Sequence, residues 1–142
     1  MRRSQSFRVM GLFATAALLA SCSGIQALQQ QDAAEHTRFN AYAGMPVSQF
    51  TWVTPNRSSQ AIWTNQLVAW ADINQAYLIT VAQPCPNLML ADRIGISSSE
   101  ETVTAHADHV FAQGRTCEIQ TIQPVDYLRM QQAAQRQAQA GS

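Results

Sequence analysis

His106-Ala107-Asp108-His109 is the stretch of this 142-residue sequence that looks most like a metal or acid–base cluster. A metal centre needs three or more ligands, and a nucleophile needs a base with an orienting partner. If residues 102–111 form one strand, side chains three apart point to opposite faces, so the two imidazoles cannot grip one ion; on a helix they could. The strand is expected, so no metal site is. Asp108, opposite His109, is expected to make a structural ion pair with Arg93 or Arg115. His36 is expected to be solvated, and Ser97-Ser98-Ser99 reads as a turn rather than a set of nucleophiles. Cys85 and Cys117 lack the vicinal or Cys-X-X-Cys spacing of redox thiols. Gly-X-Gly-X-X-Gly, a Walker loop and Gly-X-Ser-X-Gly are all absent. Neither an enzyme nor a cofactor is expected. Trp52, Trp63 and Trp70 are the binding candidates, as a platform that stacks a carbohydrate or grips a protein. The competing role is core packing, expected for at least two of them.

The first 22 residues carry a different chemistry. Arg2, Arg3 and Arg8 form a cationic start, and Val9 to Leu19 is an apolar run broken only by Gly11 and Thr15. That run is too short for a lasting membrane span, which takes about 20 residues, and it suits the core of a signal peptide. Leu19-Ala20-Ser21-Cys22 resembles the lipobox of bacterial lipoproteins. The resemblance implies export, cleavage before Cys22, a diacylglyceryl group on its thiol and acylation of the new amino group. Several acyl chains, at about 0.8 kcal/mol per buried CH₂, would anchor the protein stably where one chain is marginal. Ser23 in the next position implies sorting to the outer membrane, facing the periplasm, with the inner membrane or cell surface as alternatives.

From Cys22 onward the chain holds six arginines, no lysine and nine acidic residues, a net charge of −3. Phosphate backbones demand clustered cations, so nucleic acid is not an expected partner.

Four regions are expected: a signal peptide at 1–21, a lipidated tether at 22–46, a β domain at 47–127 and a polar helical or disordered tail at 128–142. The tether is rich in Gln and Ala, with little to bury, and reads as a flexible or loosely helical spacer. Beyond Val47, aromatic and β-branched residues cluster in short runs: 49–54, 61–72 (divided near Asn65), 76–82, 94–97, 102–111 and 116–124. Tyr77, Ile79 and Val81 alternate with Leu78 and Thr80, a strand buried on both faces. Ile122 falls out of phase with Cys117, Ile119 and Thr121, the mark of a bulge or of two-sided burial. Turns are expected at Thr54-Pro55-Asn56, Asp72-Ile73-Asn74, Ser97-Ser98-Ser99 and Gln113-Gly114-Arg115, and a helical turn within 87–92. The expected class is mainly β, a small antiparallel barrel or sandwich of about five to six strands, with an α+β arrangement as the alternative.

With Cys22 carrying lipid, Cys85 and Cys117 remain, 32 positions apart in an oxidising compartment, and a disulfide between them is expected. For a domain this small such a bridge is a large share of the stability.

From Ala43 to Asp126 the chain resembles a family of small proteobacterial lipoproteins of unknown function. The matching residues are Ala43-Gly44, Pro46-Val47, Leu67-Val68-Ala69-Trp70, Ala76-Tyr77-Leu78-Ile79, Pro84-Cys85-Pro86-Asn87-Leu88, Ile94-Gly95-Ile96-Ser97, Asp108-His109-Val110, Cys117-Glu118-Ile119 and Ile122-Gln123-Pro124-Val125-Asp126. Glu118 departs from the basic residue usual after the second cysteine. The resemblance implies a shared fold with the Cys85–Cys117 bridge and carries no activity. The expected role is a non-enzymatic, membrane-attached binding module for a protein or envelope component. The alternative is an inhibitor or immunity protein against a cell-wall hydrolase, where a rigid loop plugs a cleft at low entropic cost.

Overall fold

The computed structural model describes residues 20–53 and 58–142. The expected signal peptide, apart from its last two residues, and the expected Thr54-Pro55-Asn56 turn lie outside the described residues. A long helix α1 (Ala20–Ala41) precedes eight strands: β1 (Gln49–Thr51), β2 (Ser58–Trp63), β3 (Gln66–Asp72), β4 (Gln75–Val81), β5 (Ile94–Ile96), β6 (Thr102–Thr104), β7 (His109–Ala112) and β8 (Arg115–Val125). A second helix α2 (Tyr127–Ala140) closes the order. No helix among the described residues is long and apolar enough to cross a membrane.

Six strands form one antiparallel sheet in the order β2-β3-β4-β8-β7-β5, rolled into a nearly closed barrel. Its two edges approach each other where the Ser59 hydroxyl donates to Ile94 O at 3.4 Å. The small β1–β6 pair adds Phe50 and Val103 to the same interior. The mainly β class expected from the sequence is observed, and of the two forms expected, barrel or sandwich, it is the barrel.

Turn chemistry sets the strand lengths. Gln113 (φ 46°) and Gly114 (φ 76°) form a two-residue hairpin loop with both residues left-handed, the geometry that follows the twist of paired strands. Ile73 and Asn74 join β3 to β4 in two residues, and the Asp72 carboxylate accepts the Ile73 N–H at 2.7 Å. The turn expected at Ser97-Ser98-Ser99 lies two residues later. Ser97 still extends the β5 ladder through His109 O, and the reversal is made by left-handed Glu100 and Glu101 between Ser99 and Thr102.

The sheet is buried on both faces along β3 and β4. Leu67, Ala69, Ile79 and Val81 point into the barrel with Trp52, Val110 and Ile119. On the other face Val68, Ala76 and Leu78 pack under Phe39 of α1 and Met130 of α2. The out-of-phase Ile122 is explained by a bulge. The β4–β8 register shifts between Thr80 and Val81, passing over Gln120, so Ile119 and Ile122 both reach the interior.

The Gln/Ala-rich segment differs from a loose spacer. It is one continuous helix, and its last turns belong to the domain. Phe39 is buried, Asn40 and Gln66 exchange reciprocal amide hydrogen bonds at 2.9 and 3.2 Å, and Gly44 N donates to Pro124 O at 2.7 Å. A Cβ at Gly44 would stand 3.3 Å from that same oxygen, so the close approach favours glycine. A single apolar residue drives the docking, which is why sequence periodicity missed it.

Candidate functional site

The histidine cluster is assembled differently from its sequence reading. The run 102–111 is two strands, because residues 105–107 turn away between them. His106 adopts φ 65°, and its N–H donates to Ile119 O at 2.7 Å. The strand argument that sent the two histidines to opposite faces therefore fails. His109 lies in register with Glu118 across the strands, and His106 Nδ1 sits 3.6 Å from Glu118 Oε1. The pair is solvent-exposed and worth little energetically. Among the described residues no group of three His, Cys, Asp or Glu side chains is placed to hold a metal ion.

Asp108 does not need the arginine expected for it. Its Oδ1 accepts the Ser97 hydroxyl at 2.6 Å and its Oδ2 accepts Thr104 N–H at 2.7 Å, while Ser97 Oγ accepts His109 N–H at 2.9 Å. The buried carboxylate ties the ends of β5, β6 and β7 together. It acts as a structural fastener, and Ser97 is its partner.

The three tryptophans do not form one platform. Trp52 lies inside the barrel and donates Nε1–H to Trp70 O at 3.0 Å. Trp63 and Trp70 share the helix-covered face of β2–β3 at opposite ends. Trp63 is stacked at 4.3 Å on His36, which is therefore docked on the barrel rather than solvated. Trp70 is wedged edge-on between Phe39 and Tyr127, at 6.2 and 6.4 Å.

Beside Trp70 the surface opens into a groove of about 650 Å³, lined by Ser58, Gln60, Trp70, Asp72, Ile73 and Tyr127. The register builds it: Ser58 faces Trp70 directly across the strands. α2 begins beside it because Asp126 caps the helix, accepting Arg129 N–H at 3.2 Å, and this fixes Tyr127 as the wall. The groove runs on between the helices as a narrower space of about 210 Å³ reaching Glu35 and Arg38. Sequence reading singled out Trp70 here but missed Ser58, Gln60, Asp72 and Tyr127, since only the cross-strand register and the cap bring them together.

Cys85 and Cys117 are joined, with Cα atoms 5.8 Å apart, fastening the segment after β4 to the start of β8. The expected helical turn follows at Leu88–Leu90, with Leu88 buried and Leu90 exposed.

The model of a family of unknown function, DUF6491, matches residues 5–141. The chain belongs to this family. The DUF6491 match takes in both helices and residues 5–19 as well as the barrel, a wider span than the Ala43–Asp126 resemblance. Membership in DUF6491 assigns no activity. No curated protein and no solved structure matches the chain.

Proposed function

We propose that this is a lipid-anchored protein of the bacterial envelope whose barrel is a non-enzymatic binding module held away from the membrane by α1. One observation carries the reading. The lipobox-like Leu19-Ala20-Ser21-Cys22 runs directly into a helix that is exposed from residue 24 to residue 34 and docks on the barrel only near its end, through His36 and Phe39. At 1.5 Å per residue, the helix from position 22 to position 39 measures about 26 Å, a stand-off close to one bilayer core in length. α1 has no continuous apolar stripe, so its outer half has no reason to fold back on the barrel. Ser23 favours the outer membrane, with the domain in the periplasm, and the bridge suits an oxidising compartment.

Labelled palmitate fed to producing cells tests the anchor. Label should enter the wild-type chain and be lost in Cys22→Ala. In-cell crosslinking tests the module: a recurring envelope protein or polymer is expected, and an empty survey contradicts that half of the reading. A second reading, inhibition of a cell-wall hydrolase, is favoured by the loop after β4, which the disulfide clamps and which presents Leu90 to solvent at 71% exposure. Its test is inhibition of lysozyme-type hydrolysis by the full chain and relief of that inhibition in Leu90→Ala.

A further inference from the structure

We infer that the groove beside Trp70 binds a neutral oligosaccharide. The inference rests on the binding-module reading and supplies its ligand class. Three features carry it. First, the groove is lined by two half-buried aromatic side chains, Trp70 and Tyr127, packed edge-on at 81°, whose exposed parts offer apolar surface to the C–H face of a pyranose ring.

Second, the flanks are hydrogen-bonding groups at the spacing of adjacent strands: the Ser58 hydroxyl, the Gln60 amide and the Asp72 carboxylate, all exposed. Asp72 is held in place by accepting Ile73 N–H, and Gln60 by donating to Glu35 Oε2 at 3.3 Å. Paired polar groups beside an aromatic floor match the vicinal hydroxyls of a sugar, each of which donates and accepts.

Third, the only charge on the described lining is the Asp72 carboxylate, which disfavours an anionic ligand. The described lining of this groove contains no cation, and Arg38, on its narrower continuation, already faces Glu35 at 3.7 Å. Among the described residues of the lining, a phosphorylated or carboxylated ligand would meet Asp72 and no cation. A volume of about 650 Å³ accommodates a ligand of two or three sugar rings.

The test uses the full chain purified in a non-glycosidic detergent and titrated with chitotetraose and cellotetraose, read by tryptophan emission and by calorimetry. Saturable binding with a dissociation constant near or below about 1 mM is expected, of order −4 kcal/mol. Asp72→Ala and Ser58→Ala, both at exposed positions, should each weaken binding about tenfold or more, with a melting curve run beside each titration to show that the chain is folded. Trp63→Phe, at the far end of the same face, should leave it unchanged. No saturation by either sugar, or equal affinity in Asp72→Ala, overturns the inference. A protein captured in cells alongside absent sugar binding sinks this inference while leaving the binding module standing.

Discussion

Replacing Phe39 by alanine asks whether α1 is part of the folded domain or only its leash. Phe39 retains 3% of its surface exposure and sits on Ile62, Val68, Leu78 and Met130, with its ring edge-on to Trp70. Removing a buried phenylalanine costs about 3–5 kcal/mol, the lost transfer energy plus the cavity left behind. The lower end applies here, because this cluster is the smaller of the two and lies near solvent, where α2 can settle inward. About 3 kcal/mol, divided by a urea dependence of about 1–3 kcal/mol per molar, moves the unfolding midpoint down by about 1–3 M. Trp70 lies 6.2 Å from the ring, so tryptophan emission reports the loss directly. Leu28→Ala, on the same helix but 63% exposed, is the control and should shift stability by less than about 0.5 kcal/mol. If Phe39→Ala unfolds within about 1 kcal/mol of the wild type, the docking of α1 described here is wrong.

Other outcomes follow from the same contacts. The Cys85→Ala/Cys117→Ala chain should lose about 3–4 kcal/mol, the loop-closure entropy of a 32-residue separation, measured by urea unfolding against the oxidised protein. Asp108→Ala leaves the Ser97 hydroxyl and Thr104 N–H without their acceptor and should cost about 2–4 kcal/mol; faster amide exchange at Thr104 and His109 would place the damage at the β5–β6–β7 junction. Asp126→Ala removes the α2 cap and should cost about 1 kcal/mol, with loss of helical circular dichroism confined to the tail.

The barrel was legible in the sequence wherever one rule dominated. Alternation marked β4, two-residue turns marked the β3–β4 and β7–β8 hairpins, and the phase slip at Ile122 marked a real bulge. Reading failed where a single residue or a left-handed backbone decided the outcome. Residues 102–111 have the composition of one strand, yet the chain breaks at His106 because its N–H and the Asp108 carbonyl are both claimed by Ile119. That break takes His106 out of the strand, so strand periodicity does not govern where its side chain points. Among its described side chains α1 carries one buried apolar residue, too few to register as a stripe, and the amide pair Asn40–Gln66 that seats it joins residues far apart in sequence. The groove was invisible for a similar reason: Ser58, Gln60 and Asp72 look like ordinary solvent-facing residues until the register sets them around Trp70.

The reading of the whole chain turns on position 22. An intact-mass measurement of the protein extracted from the cells that produce it tests it most directly. A mature chain that begins at Cys22 and is heavier than its polypeptide by a diacylglyceryl group and a further acyl chain is the predicted result. A product that keeps residues 1–21, or one whose residue 22 carries no lipid, contradicts the account.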